Sequence, residues 1–350
     1  MPSVPPPSLF SPLTLGAFEL SHRIVLPALL RGRASPPTGT PNPLLTRYYA
    51  QRASPGGLLV TETVLVSART HTNGHTPGLY TTEQVNGWRE VTDAVHARGG
   101  LLVAQLGFAA SAVPGEAGRA MATLDIDAAL RECRDAAENA GDAGFDGIEL
   151  HAGLAERFLH DLANPRTDGY GGSLPNRLRL LTDLVDTLAG VWRPDRIGVR
   201  LSAGSPPSGV DAAARQLNFH GALSEMASCG IAYVHVAPPW PAADGVTAGT
   251  MAATLAAAAA ACPTGATARL ASGGFGVAEA QATVAAGHAD AIGFGRAFAA
   301  NPDLPHRLKA GLALTPWDNG TLVSGGETGY TDYPVAGGEP GISAPRPATG

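Results

Sequence analysis

Short apolar runs recur along this chain at intervals long enough to hold a helix each, and that alternation restricts the fold more than any other feature. The runs fall at residues 24–26, 58–64, 101–106, 147–150, 197–201, 233–236, 268–271 and 289–294. Helical patterns over 82–98, 127–143, 174–190, 211–228, 250–261 and 277–286 lie between them, several opened by Thr, Asp or Ser caps. Strands this short and this apolar are buried on both faces, and strands that alternate with helices pair in parallel. Eight of them predict an α/β fold of the (β/α)8 TIM barrel type. A doubly wound sheet is the alternative, but no glycine-rich dinucleotide fingerprint follows the first run.

Composition agrees with one large domain. The chain has 350 residues, 44% hydrophobic and only 15% charged, enough to bury a barrel-sized core. We read residues 1–318 as the barrel domain and the Gly- and Pro-rich residues 319–350 as an extended C-terminal tail. The net charge of -6, with no basic cluster, argues against nucleic-acid or membrane-surface partners and for small-molecule chemistry. Residues 1–8 lack the charged and apolar regions of a signal peptide, and no apolar run approaches the roughly 18 residues of a membrane span. A cytoplasmic protein is the expectation. Cys133, Cys229 and Cys262 are odd in number and far apart, which suits reduced thiols better than disulfides or a metal site. Lys309 is the only lysine, a bias that points to a high-GC bacterial gene.

In a TIM barrel the C-terminal ends of the strands face the active site, so polar residues that end apolar runs are candidates. Here these are Glu62, Gln105, His151, Arg200, His235 and Arg296. Gly273-Gly274 after the seventh run, and Gly293-Phe294-Gly295-Arg296 after the eighth, leave backbone N–H groups open to an anion where barrels often hold a phosphate.

The stretch Asn164-Pro165-Arg166-Thr167-Asp168-Gly169-Tyr170-Gly171-Gly172-Ser173-Leu174-Pro175-Asn176-Arg177 resembles the N-x-R-T-D-x-Y-G-G-S-x-x-N-R signature of the Old Yellow Enzyme family of FMN-dependent ene-reductases. Further blocks extend the resemblance over nearly the whole chain. Leu9-Phe10-Ser11-Pro12-Leu13 looks like the family's opening hairpin, and Phe294-Gly295-Arg296 and Tyr330-Thr331-Asp332-Tyr333-Pro334 match later segments. The resemblance implies an N-terminal hairpin and bound FMN, with Gln105 at the flavin's pyrimidine edge, Arg200 near N1 and the C2 carbonyl, and Gly274, Gly295 and Arg296 at the phosphate. The Tyr330–Pro334 block resembles a segment that reaches a neighbouring subunit in some relatives, so a homodimer is expected.

The departures fall on the substrate side. Where the family has H-G-A-N-G-Y, this chain reads His151-Ala152-Gly153-Leu154, without the asparagine and without the tyrosine that donates a proton. Leu30 stands where the resemblance implies a Thr or Cys that tunes the flavin, Gly107-Phe108 replaces Trp-His, and only residues 107–123 stand in place of a long cap. Together these argue against a closed, ordered NAD(P)H and for a roomy pocket. The reading they favour is a redox-neutral isomerisation or cyclisation of a large conjugated carbonyl of polyketide type, with His151 polarising the carbonyl and Glu156 relaying a proton. FMN-dependent, NAD(P)H-driven reduction of a bulky enone with a non-standard proton donor is the alternative. His160 and Asp161 are the other nearby candidates for that relay, set against a solvated first helical turn for Glu156 and Asp161 and a surface role for His160.

Overall fold

A computed structural model of the protein describes residues 6–69, 74–108, 124–161, 164–202, 212–237, 248–261, 267–323 and 325–337. An antiparallel hairpin, β1 (Leu13–Leu15) and β2 (Phe18–Leu20), comes first. It is followed by β3 (Ile24–Val25), α1 (Pro43–Arg52), β4 (Leu58–Val60), β5 (Val64–Leu65), α2 (Thr82–His96) and β6 (Leu101–Gly107). Then come α3 (Ile126–Asp142), β7 (Gly147–His151), α4 (Gly153–Phe158), α5 (Leu174–Ala189), β8 (Ile197–Ser202), α6 (Ala212–Ser228) and β9 (Tyr233–Ala237). The chain continues through α7 (Ala248–Ala261), β10 (Ala268–Ser272), α8 (Val277–Ala285), β11 (Ala291–Gly293), α9 (Gly295–Ala300) and α10 (Leu304–Ala310).

The strands pair in parallel in the order β3-β11-β10-β9-β8-β7-β6-β4. A parallel bridge between Leu26 and Leu59 joins the two ends, so the eight strands close a (β/α)8 barrel. One expected strand is divided. The run at 58–64 breaks after Val60, because Thr61, Glu62 and Thr63 turn polar groups into the barrel mouth before β5 rejoins β6.

Local chemistry fixes the helix starts. Asn42 Oδ1 accepts from Leu44 N and Leu45 N ahead of Pro43, and Thr81 with Gln84 forms a capping box on α2. The Asp125 side chain caps α3 through Ala128 N at 2.9 Å.

The core has two layers. One lies between barrel and helices and includes Tyr48, Tyr49, Trp88, Phe145, Phe158 and Phe298. The other fills the barrel interior, where Leu15, Phe18 and Leu20 of the hairpin plug the floor against Val25, Leu58, Val60, Val103, Tyr233, Leu270 and Ala291. Two glycines make room for that plug. A Cβ on Gly147 would come within 2.6 Å of the Phe18 ring, and one on Gly198 within 2.3 Å of the Tyr233 ring.

The C-terminal segment folds back over the rim. Arg33 donates to the carbonyls of Thr321, Leu322, Gly326 and Thr328, and Arg31 to those of Thr321, Leu322 and Gly329. Tyr330 stacks on Tyr48 of α1 with ring centroids 4.1 Å apart, so the first residue of the 330–334 block packs against its own chain. Most of the short link expected in place of a cap, residues 109–123, lies outside the described residues, as does Cys262. Cys133 is a buried free thiol and Cys229 a half-buried one. No helix among the described residues is long and apolar enough to cross a membrane.

Candidate active site

The polar residues of the barrel gather at the C-terminal ends of its strands. Side chains alternate along a strand, so Glu149 and His151, two positions apart on β7, both point inward at successive heights. The pairing register sets His151, Arg200 and His235 side by side on β7, β8 and β9, and Gln105 beside Glu149 on β6 and β7.

His151 makes no side-chain hydrogen bond with a described residue. Burial, followed by the positive charge of Arg200, pushes its pKa down to about 4 against the opposing pull of Glu149. The ring is therefore neutral at physiological pH, with one N–H to give. The Arg200 guanidinium likewise has no hydrogen-bond partner among the described residues, and its charge acts on His151, Glu149 and Glu156.

Glu156 stands on α4, directly after the strand that carries His151. One carboxyl oxygen accepts the backbone N–H of Ser202, at the end of β8. Burial lifts its pKa to about 7, with Ser202 and Arg200 pulling the other way. The site thus pairs a neutral imidazole with a carboxylic acid that is about half protonated at pH 7, two groups suited to polarising a carbonyl and moving a proton.

One expectation is corrected beside it. His160 is buried rather than at the surface, with Nδ1 3.4 Å from Asn218 Nδ2; α4 is so short that the chain turns inward at once to meet α6. Asp161 is exposed, as its reading required.

Gln105 and His235 are bound into a buried network. Gln105 Nε2 donates to Glu149 Oε1 at 2.6 Å, and His235 Nδ1 lies 3.0 Å from Glu149 Oε2, with both Glu149 and His235 wholly buried. Glu62 is also buried. Its Oε2 accepts from Arg31 N at 3.1 Å and Gly32 N at 2.8 Å, and its Oε1 has no partner among the described residues. Leu30, just before, is 46% exposed at the rim.

At β10 and β11 the surface opens. A Cβ on Gly274 would meet nothing within 4 Å, one on Gly295 nothing nearer than Pro27 Cγ at 3.7 Å, and Arg296 is exposed without a hydrogen-bond or ionic partner among the described residues. A glycine-lined cradle with a guanidinium that meets no described partner suits a phosphate, and the Arg200 guanidinium beside His151 and His235, likewise without a described partner, suits the polar edge of a heterocycle.

These features can be set against known proteins. The model of the NADH:flavin oxidoreductase / NADH oxidase family matches residues 8–117 and 108–315. The flavin oxidoreductase hxnT of Emericella nidulans is 34% identical over 94% of this chain and 97% of its own length. The chain belongs to the NADH:flavin oxidoreductase family. A chanoclavine-I aldehyde reductase of Penicillium roqueforti is 36% identical, covering 93% of this chain and 95% of the relative. Morphinone reductase, solved in complex with tetrahydroNAD, superposes with a TM-score of 0.80 at 31% identity over 94% of this chain and 98% of its own. Membership of this flavin oxidoreductase family makes the protein an Old Yellow Enzyme relative and an oxidoreductase, and points to FMN as its cofactor.

Glu149 is the residue that sequence reading passed over. It sits inside an apolar run, Gly147-Ile148-Glu149-Leu150, and not at its end. A carboxylate flanked by apolar residues, two positions before a strand-end candidate, is the signal that identifies it.

Proposed function

We propose that the protein is an FMN-dependent reductase of activated alkenes that acts on a bulky conjugated carbonyl compound, with Glu156 as proton donor. The observation that carries this is that neutral His151 at the end of β7 and the partly protonated carboxyl of Glu156 on α4, bonded to Ser202 at the end of β8, both feel the charge of Arg200, whose guanidinium has no partner among the described residues. Gln105 and Arg200 hold the pyrimidine edge of the flavin, while Gly274, Gly295 and Arg296 hold its phosphate. FMN, when bound and reduced by NAD(P)H, supplies the hydride. The His151 N–H donates to the substrate carbonyl and draws charge onto its oxygen. The Glu156 carboxyl then gives its proton, the task for which the resemblance implies a tyrosine. Exposed Leu30 offers an apolar contact at the rim and supports a large apolar substrate. The similar proteins include reductases named for morphinone, chanoclavine-I aldehyde and 12-oxophytodienoate, which supports a carbonyl-bearing substrate.

A redox-neutral isomerisation or cyclisation of a polyketide-like carbonyl is the second reading. Leu30 favours it, since a leucine offers no hydrogen bond to tune a flavin, and a neutral imidazole with a half-protonated carboxyl suffices to move protons without hydride. Anaerobic NADPH or NADH added to the purified protein separates the two. Bleaching of the flavin band, with deuterium from labelled NADPH appearing in the product, supports reduction. A flavin that neither nucleotide reduces, with a product isomeric with its substrate, overturns it in favour of the second reading. A homodimer belongs to the same proposal and is read by light scattering.

A further inference from the structure

Five side chains form one unbroken line of hydrogen bonds across the mouth of the barrel. Thr63 Oγ1 donates to Gln105 Oε1 at 2.5 Å, and Gln105 Nε2 donates to Glu149 Oε1 at 2.6 Å. His235 Nδ1 lies 3.0 Å from Glu149 Oε2, and His235 Nε2 lies 2.9 Å from Ser272 Oγ. Gln105, Glu149 and His235 are each at most 1% exposed, and Ser272 is 9% exposed, immediately before Gly273-Gly274. The line therefore runs from the β4 rim to the start of the glycine cradle on the opposite side.

Most members of such a line can reverse. A carboxamide can turn over, a neutral imidazole can carry its proton on either nitrogen, and a hydroxyl can rotate. An ionised carboxylate cannot reverse, because it only accepts. Burial pushes the Glu149 carboxyl upward, but His235, Gln105 and Arg200 together hold it below its ordinary value. Its ionised form therefore dictates the rest. Gln105 must turn its NH2 toward Glu149 and its oxygen toward Thr63, and His235 must carry a proton on Nδ1 and show Nε2 to Ser272.

We propose that Glu149 is a positioning residue of the cofactor site, touching no cofactor itself but fixing which atoms Gln105 and Ser272 present to FMN. This rests on the reading that Gln105 serves the flavin's polar edge and the glycine cradle its phosphate. The Glu149, His235 and Ser272 spacing also matches that of a nucleophile triad. His235, however, has no exposed surface with which to meet a substrate. The geometry assigns the three a positioning role.

The test is Glu149→Gln, which keeps the shape but lets the position donate or accept. FMN affinity is measured by quenching of flavin fluorescence on binding to the apoprotein, and the His235 tautomer by 15N spectra of histidine-labelled apoprotein, assigned with His235→Gln. The expected result is Nδ1 protonated in the wild-type protein, a mixed tautomer in Glu149→Gln, and FMN binding weakened about tenfold or more, the scale of one lost charge-assisted hydrogen bond. An unprotonated Nδ1 in the wild type, or FMN affinity equal in both proteins, overturns the proposal alone. Wild-type protein that binds no FMN overturns the cofactor reading, and this proposal with it. If Glu149→Gln does not fold, Thr63→Val and Ser272→Ala form a double-mutant cycle on FMN affinity from the two ends of the line. A combined loss that departs about threefold or more from the product of the single losses supports coupling through Glu149. A simple product overturns it.

Discussion

Glu62 should make the protein less stable as the pH rises from acid to neutral. Among the described residues its carboxyl, on a side chain 1% exposed, accepts two backbone N–H groups on Oε2 and leaves Oε1 without a partner. Burial outweighs those bonds and the nearby charges of Arg31 and Arg33, so its pKa rises from 4.5 to about 7. Between those two values the folded protein keeps a proton that the unfolded chain has released. Raising the pH therefore favours unfolding, and the stability lost is present below pH 4.5 and gone above about 7. At about 1.4 kcal/mol for each pH unit the difference amounts to about 3 kcal/mol. Glu62→Gln removes the titration while keeping an oxygen for Arg31 N and Gly32 N. Urea unfolding of both proteins at several values between pH 4.5 and 8 measures the effect. The stability of the wild type relative to the variant should fall by about 3 kcal/mol over that range. A difference that does not change with pH would show that Glu62 is ionised in the folded protein, and the argument from its orphaned oxygen would fail.

Three more outcomes are expected. Glu156→Gln should lower turnover by about 10²- to 10⁴-fold, the usual worth of a positioned proton donor. Wild-type turnover should fall as the pH rises through about 7, since the acid must be protonated, and a wild-type profile with no inflection there would remove Glu156 as the donor. Gly198→Ala puts a Cβ within 2.3 Å of the buried Tyr233 ring and should cost about 1–3 kcal/mol or more in thermal unfolding, recovered in part by Tyr233→Leu; an unaltered melting temperature would contradict the packing of the barrel floor. Arg33→Gln strips bonds from carbonyls between Thr321 and Thr328, each worth about 1.5–3 kcal/mol as a charge-assisted bond. Limited proteolysis there should speed up at least tenfold while the barrel's melting changes little, and equal rates would show that Arg33 does not hold the segment.

The barrel was legible because burial on both faces leaves a strand no choice but an apolar run, and all eight runs lie in the closed sheet. What escaped was polar and interior. Glu149 interrupts a run without ending it, and only the register, which seats it between Gln105 on β6 and His235 on β9, gives it partners. His160 is hidden from sequence for a related reason: a polar residue after a short helix looks solvent-facing until α6, with Asn218, is placed beside it. The strand-end rule locates Gln105, His151, Arg200 and His235, but it cannot separate the side chains that meet no hydrogen-bond partner among the described residues, His151 and Arg200, from those bound into the network.

The signature at residues 164–177 shows why a strong family match and a missing proton donor can occur in neighbouring segments. Its residues spend their hydrogen bonds on the chain itself. Asn164 Nδ2 donates to the carbonyls of Phe158 at 3.1 Å and Tyr170 at 2.7 Å, and Arg177 donates to those of Leu159 at 2.8 Å and Gly172 at 2.6 Å and to Asn218 Oδ1 at 3.1 Å. Tyr170 Oη donates to Asp183 on α5 at 2.8 Å. These bonds clamp the C-terminal end of α4 to α5 and α6, and each is lost with the side chain that makes it. The segment from His151 to Glu156 lies on the other side of that clamp, anchored by β7 and by the bond between Glu156 and Ser202. Ala152 and Ala155 there are core residues, so the positions free of the fold's demands are the remaining ones. The clamp thus preserves the family's outline, while the chemistry of the pocket rests on the few side chains between β7 and α4.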